Sequence, residues 1–373
     1  MTRTLIDVHV IQTLPPSNVN RDDTGSPKSA VYGGVRRARV SSQAWKRAAR
    51  NAFGEHLDRS ELGVRTKRVV EVIAEAVTQQ DSSLADQANE LAKQVVTAAG
   101  IKVAAPRKAA NAVEESGYLI FLSARQVQAL AALAIDATRK GTTLDKKAAG
   151  AVFKADNSID VALFGRMVAD VSDLNVDAAA QVAHAISTHA VNTEFDYFTA
   201  VDDRKRDSAD EDAGAGMIGT VEFNSSTLYR YATIDLEALT KNLGDGEATV
   251  RASVAFVRAF LTSMPTGKQN TFANNTLPDA VLVTLRTDRP ISLVGAFEEP
   301  VTAVGSGGHV VESIARLSEY AKEVADTYGA PAAAWVCGIG DRVQPLEALG
   351  QRVRVADLDD VLGRALRERV SGS

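Results

Sequence analysis

Arg36, Arg37, Arg39, Lys46, Arg47 and Arg50 fall within fifteen consecutive residues. They belong to the stretch Asn20–Phe53, NRDDTGSPKSAVYGGVRRARVSSQAWKRAARNAF. Guanidinium forks and lysine ammonium groups bind phosphate oxygens, and a polyanion held this way releases condensed counterions. The bland alternative is a solvated charged face. Two features of this run point away from it. Gly33-Gly34 permits close backbone approach to a ligand. A helix starting at Ser41 or Ser42 would offer free N–H groups beside Lys46, a cradle for an anion.

Other chemistry is thinner. Asp22-Asp23 could bind a metal or act as a general base, with loop capping or pairing to Arg21 as the structural alternative. The histidines are His9, His56, His184, His189 and His309. None lies in an HExxH context, and His184 and His189 are not spaced i,i+4, so core or hydrogen-bonding roles are expected of all five. GSGG at 305–308 matches neither dinucleotide nor P-loop patterns and reads as a turn. Cys337 is the single cysteine. It excludes an intrachain disulfide and a cysteine-based metal site, and its context AAAWVCGIG reads as a buried strand.

The elements that must position the cations follow from periodicity. Leu5–Leu14 alternates, with Ile6, Val8 and Val10 on one side and Asp7 and His9 on the other, as in a half-buried strand. Residues 15–40 read as a long loop. The helix to about Phe53 gathers Trp45, Ala48, Ala49 and Ala52 on one face and Gln43, Lys46, Arg47 and Arg50 on the other. From about Thr66 to Ser187 an Ala-rich, helix-periodic lobe is expected, with Arg139-Lys140-Gly141 ending one helix and Lys146, Lys147 and Lys154 soon after. VNTEFDYFTAV and MIGTVEFNSSTLYRY read as two arms of a protruding β-hairpin around DDRKRDSADEDAGAG. Strand, helix and a basic loop at Pro265–Asn270 follow. A strand at Val281–Arg286, a helix at Val311–Tyr328, a strand at Ala332–Ile339 and a closing helix at Leu358–Val370 complete the chain. Phe195, Tyr197 and Phe198, with Phe164 and Met167 of LFGRM, could stack on bases or be core.

The chain has 373 residues, enough for one elaborated domain or two to three lobes. At 45% hydrophobic and 24% charged it is a globular protein. Net charge is −5, but residues 1–70 carry 13 Lys and Arg against 6 Asp and Glu, while the remainder carries 29 against 41. That asymmetry places a basic surface on an acidic body. No signal peptide or membrane span is legible, so a reducing, cytoplasmic setting is expected.

Taken in order, NRDD, GGVRRARVSSQAWKRA, LFGRM, DYFTAVDD with GTVEFNSSTLYRY, and MPTGKQNTFA resemble the CasC family, the backbone subunit of the type I-E CRISPR Cascade complex. The resemblance covers essentially the whole chain. It implies an α+β fold: a modified RRM-like (ferredoxin-like) palm at 1–65 and 227–373, helical fingers at 66–189 and a β-hairpin thumb at 190–226. It implies a non-catalytic subunit without cofactors that polymerises head to tail along CRISPR guide RNA with other Cascade subunits, flips a guide base out at intervals and leaves the rest open for target DNA. The guide-binding residues it implies are Arg21, Lys28, Arg39, Ser41, Ser42, Gln43, Lys46, Arg47, Arg50, Arg166, Met167, Phe198, Thr199, Lys268 and Gln269. Target DNA falls to Arg139, Lys140, Lys146 and Lys147. Two other readings stand beside this one: a metal-dependent target-RNA ribonuclease using Asp22 or Asp23, and a single-strand-binding protein acting alone.

Overall fold

The computed structural model describes residues 3–106, 112–200, 217–303 and 308–371. At its centre lies β1 (Leu5–Ser17). It pairs antiparallel with the long strand Met217–Asp235 on one side and with Ala280–Arg286 on the other. Ala333–Gly338 extends the sheet beyond Ala280–Arg286. On the opposite flank come Ala180–Val182 and Ala185–Ser187, and then the hairpin of β2 (Ser29–Tyr32) and β3 (Val35–Val40). Part of the expected loop at 15–40 is therefore sheet.

Helices cover both faces, so the fold is mixed α+β. Ile6, Val8 and Val10 share a core with Trp45 of helix α1 (Ser42–Ala52), with Phe256 and Phe260 of the helix Gly246–Thr262, and with Leu362 of Val355–Ser371. Ile11, Tyr229, Leu282 and Val336 meet Ile314 and Leu317 of the helix Val310–Tyr328 on the other side.

The half-buried expectation for β1 is corrected here, because its polar face is buried too. Asp7 accepts from the Tyr231 hydroxyl (2.8 Å) and from Ile291 N–H (3.0 Å). His9 Nδ1 bonds the Tyr229 hydroxyl at 2.9 Å. Alternation marks two unlike faces, and a second covering layer that satisfies polar groups looks the same in sequence as solvent.

A separate interior lies between Val69 and Leu174. It is built from the helices Val69–Gln80, Ala88–Ala98, Ala124–Lys140 and Lys146–Lys154. The chain then returns to the main sheet through Ala180–Val182. Glu194–Ala200 pairs with the outer end of the long strand, from Glu194↔Phe223 to Ala200↔Met217. The acidic tip expected at 207–214, and Gly305–Gly307 of the GSGG turn, lie outside the described residues. Cys337 is a buried strand thiol, and burial pushes it up to about 11. No described helix is long and apolar enough to cross a membrane.

One contact docks α1 on the sheet. The Arg230 guanidinium, from the long strand, lies 3.7 Å from the Trp45 ring and 4.4 Å from that of Phe260. It donates to Gln12 Oε1 and to the Phe260 carbonyl, and burial lowers its pKa to about 9. Trp45 itself is 1% exposed. Trp45→Ala is expected to lower unfolding free energy by about 3–5 kcal/mol. Arg230→Ala is expected to cost a comparable amount, and the double variant less than the sum in denaturant titrations, because both remove one contact. Full additivity would show that the two residues act separately.

Acid should weaken the fold. Burial holds His9 neutral down to about 3 and His189 down to about 4. His189 Nε2 accepts from Thr227 N–H at 3.0 Å while Nδ1 bonds the Ala190 carbonyl. The unfolded chain protonates these rings below about 6.5 and the folded chain does not, so stability falls from there towards about pH 4, at roughly 1.4 kcal/mol per pH unit for each group. Asp7, raised by burial, acts in the opposite sense at the acid end. His189→Asn should remove one group's share of the slope in pH-dependent unfolding; an unchanged slope would refute the assignment.

Candidate nucleic-acid interface

Three chain segments meet at the start of α1. Asn20 ties the loop after β1 to the helix: Oδ1 accepts from Ser41 N–H (2.8 Å) and the carbonyl from Lys28 N–H (2.9 Å). The Lys28 carbonyl in turn accepts from Arg39 N–H. Asn18 fastens the same loop to the hairpin base by donating to the Gly25 and Glu222 carbonyls, both at 2.9 Å. The PTGKQ loop seats through Gly267, where a Cβ would lie 2.2 Å from the Val19 carbonyl oxygen. Only glycine permits that approach. Lys28, Arg39, Ser42, Gln43, Lys46 and Lys268 are thus brought to one junction.

Ser41 builds this junction and does not face outward. Its Oγ accepts from Ala44 N–H as the N-cap, worth about 1 kcal/mol. Its own N–H is held by Asn20. The Ser42 N–H meets His184 Nδ1 at 3.3 Å, and Arg39 donates to the same nitrogen at 3.3 Å. The free N–H groups expected at Ser41 and Ser42 are therefore occupied. An anion is left with the cations, Gln43 and the Ser42 hydroxyl.

Lys46 is half-buried, and desolvation holds its ammonium below the usual lysine range. Among the described residues no carboxylate pairs with Lys28, Arg39, Lys46, Arg47 or Lys268. A partly desolvated cation without a counter-ion gains when an anion arrives.

Other members of the run are structural. Arg37 is fully buried and donates to the carbonyls of Tyr32, Ser187, Phe297 and Glu298. Gly33 makes the close approach expected of it, but to its own chain: at φ +59° its added Cβ would fall 1.6 Å from the Glu298 carbonyl oxygen. Arg50 is also tied into the fold. Its Nε donates to Asp160 at 3.0 Å, its Nη2 to the Gly63 carbonyl at 3.2 Å, and its guanidinium covers Phe121 at 4.4 Å. It joins α1 to the helical lobe. Arg47 is exposed on the outer face of α1, and Arg21 is exposed beside its bridge to Pro27. Gln269 donates to Asn275 Oδ1 at 2.6 Å.

LFGRM divides by residue. Arg166, 4% exposed, donates to the carbonyls of Leu174, Phe121 and Phe153 and is committed to the interior of the fold. Phe164 stacks on Phe53 at 5.8 Å and is core. Val168 N–H is fixed by Asn175 Oδ1. Met167, between two anchored neighbours, is 80% exposed. On the hairpin, Phe198 faces Gly219 across the strands, its ring filling the space a Cβ there would take. Phe195, Tyr197 and Thr199 are exposed.

In the helical lobe, Arg139 pairs with Asp81 (2.8 Å) and Lys140 with Asp136 (2.7 Å). Lys146 and Lys147 are exposed in the first turn of their helix, capped by Asp145, and no described carboxylate pairs with them. These four stand on the second core, away from the α1 junction. Asp22 caps its turn: Oδ1 accepts from Thr24 N–H, the Thr24 hydroxyl and Ser26 N–H, which hold the carboxyl below its usual range. Among the described residues no group of three or more His, Cys, Asp or Glu is placed to hold a metal. Sequence reasoning missed Asn18, Asn20 and His184. His184 had no local signal, because its partners lie 142 and 145 residues away.

The model of the CT1975-like protein family matches residues 6–362. The chain belongs to the CT1975-like family. This CT1975-like chain is similar to a solved chain of a "CRISPR RNA-guided surveillance complex, pre-nicking" at 37% identity and TM-score 0.84, covering 97% of this chain and 100% of that one. A chain of a second "CRISPR RNA-guided surveillance complex" matches at 31% identity and TM-score 0.75, covering 97% and 99%. Together these findings make it a Cas backbone subunit of the CasC type. No curated protein sequence matches.

Arg166→Ala is expected to destabilise by about 3 kcal/mol, since buried carbonyls lose their donor, whereas Arg47→Ala should stay within about 0.5 kcal/mol. Equal melting temperatures for the two variants would overturn the division between buried and presented arginines.

Proposed function

We propose that this CT1975-like protein is a non-catalytic, guide-RNA-binding backbone subunit of a cytoplasmic type I-E surveillance complex. The observation that carries this reading is the set of cations around a helix start, Lys28, Arg39, Lys46 and Lys268, that pair with no carboxylate among the described residues. A guide of any sequence must be held by phosphate, sugar and shape, with base pairing left to read the target. Lysines and an arginine on rigid elements meet that requirement.

On this reading the main sheet and its helices are a modified RRM-like palm (1–65 and 227–373), the second core is the fingers (66–189), and the hairpin is the thumb (190–226). Copies assemble head to tail, so the thumb of one reaches its neighbour. Met167 and Phe198 pack at a displaced guide base, and contact with apolar side chains offsets part of the unstacking cost. The bases between stay stacked and open to target DNA. Lys146 and Lys147 hold that DNA by charge; Arg139 and Lys140 contribute less, each already having a carboxylate. Other Cascade subunits close the ends of the filament.

Lys28→Glu combined with Lys46→Glu tests the reading without disturbing the Arg50–Asp160 contact. Co-expressed with partner subunits and a guide, this variant should retain less than about a tenth of wild-type RNA, since each lost phosphate contact also removes released counterions. Its circular dichroism and melting temperature should match wild type. Wild-type RNA occupancy in the folded variant would refute the cradle.

A further inference from the structure

The ring of His184 borders the proposed cradle beside Arg39 and Ser42, and its role rests on that reading. It lies between Ala180–Val182 and Ala185–Ser187, two short strands that pair with the long strand. Its Nδ1 receives two donors, Arg39 and Ser42 N–H, each at 3.3 Å. Nδ1 can accept only when it carries no proton, so the arrangement requires the neutral ring with its proton on Nε2. The charged groups acting on the ring are Arg39 from β3 and Lys28 from the preceding loop, both cationic. α1 presents only the Ser42 N–H, and the two flanking strands, AQV and AIS, carry no titratable side chain.

We infer that His184 is a positioning residue that holds the cradle closed while it is empty and takes up a proton when a phosphodiester enters it. In the empty state the neutral ring tethers Arg39 and covers the first N–H of the helix. A phosphate between Lys28, Arg39 and Ser42 changes both terms. It offers Arg39 and the Ser42 N–H a better acceptor than imidazole, and its charge offsets the repulsion that disfavours an imidazolium. One proton from the buffer then adds to Nδ1, and the ring turns from acceptor to donor toward the phosphate. No other bond is made or broken. Burial and the two cations hold the free ring below its ordinary range, the direction this coupling requires.

RNA affinity should therefore rise as pH falls, by up to about tenfold per pH unit between the free and bound pKa values of this one group. The test uses the full-length chain and a short fluorescein-labelled single-stranded RNA, with anisotropy read at constant low ionic strength from about pH 8 to about pH 5.5. Wild type should tighten steeply across that range. His184→Gln, which keeps an acceptor for both donors and cannot titrate, should lose most of the slope. His184→Ala, which removes both the proton site and the tether, should also be pH-flat; it is the flat His184→Gln curve, with the tether kept, that assigns the effect to the proton. Parallel wild-type and His184→Gln curves would overturn the inference. Lys46→Glu in the same assay separates this from the cradle itself: if it loses RNA at every pH while the His184→Gln slope is wild-type, the cradle stands and the proton coupling falls. If it binds as wild type does, the cradle is misplaced and the inference falls with it.

Discussion

A buried guanidinium, paired with no carboxylate among the described residues, docks the helix that faces the proposed ligand. Arg230 reaches from the long central strand between Trp45 and Phe260. Trp45 is the only large apolar residue of α1, a helix otherwise packed through alanines. That contact fixes the depth of the helix, while Arg50, Asn20 and His184 hold its far side and its start. Burial costs Arg230 much of its preference for charge. Two aromatic faces and two oxygen acceptors offset this where water cannot reach. The helix that carries Lys46 is thereby packed on the sheet, and a backbone held in place reduces the entropy a ligand must offset.

Arginine and lysine divide the work in this molecule. Arg37, Arg50, Arg166 and Arg230 all turn inward and join elements distant in sequence, each spending several donors on carbonyls or on a buried carboxylate. Lys28, Lys46 and Lys268 pair with no carboxylate among the described residues. Five donors in a planar fork suit the crossing of several backbone carbonyls, while a compact ammonium on a flexible stem suits a ligand whose oxygens shift from one nucleotide to the next. Arg39 is intermediate, its side chain tethered among the described residues by the Ser29 carbonyl and His184.

The junction also couples the cradle to the hairpin. Asn18 bonds both the cationic loop and the long strand at Glu222, five residues from the strand's described start. Gly267 presses a third loop onto the same backbone. Asn18 and Gly267 thus join the base of the hairpin to the loops that carry Lys28 and Lys268 through direct contacts.

Element types were legible from periodicity and capping chemistry. The α1 start at a serine, its Trp45–Ala49 face, the paired arms around 194–231 and the closing helices all follow from local residue patterns. So does the basic surface, because a charge asymmetry between segments survives any fold. What tertiary structure alone decided is which cations remain available. Arg37, Arg50 and Arg166 look the same in sequence as Arg39 and Arg47, and β1 looks half-buried until a second helical layer covers it. His184 looked inert until β3 and α1 were brought to it. Availability is set by partners more than a hundred residues away, and one-dimensional spacing carries no information about contacts that only chain folding creates.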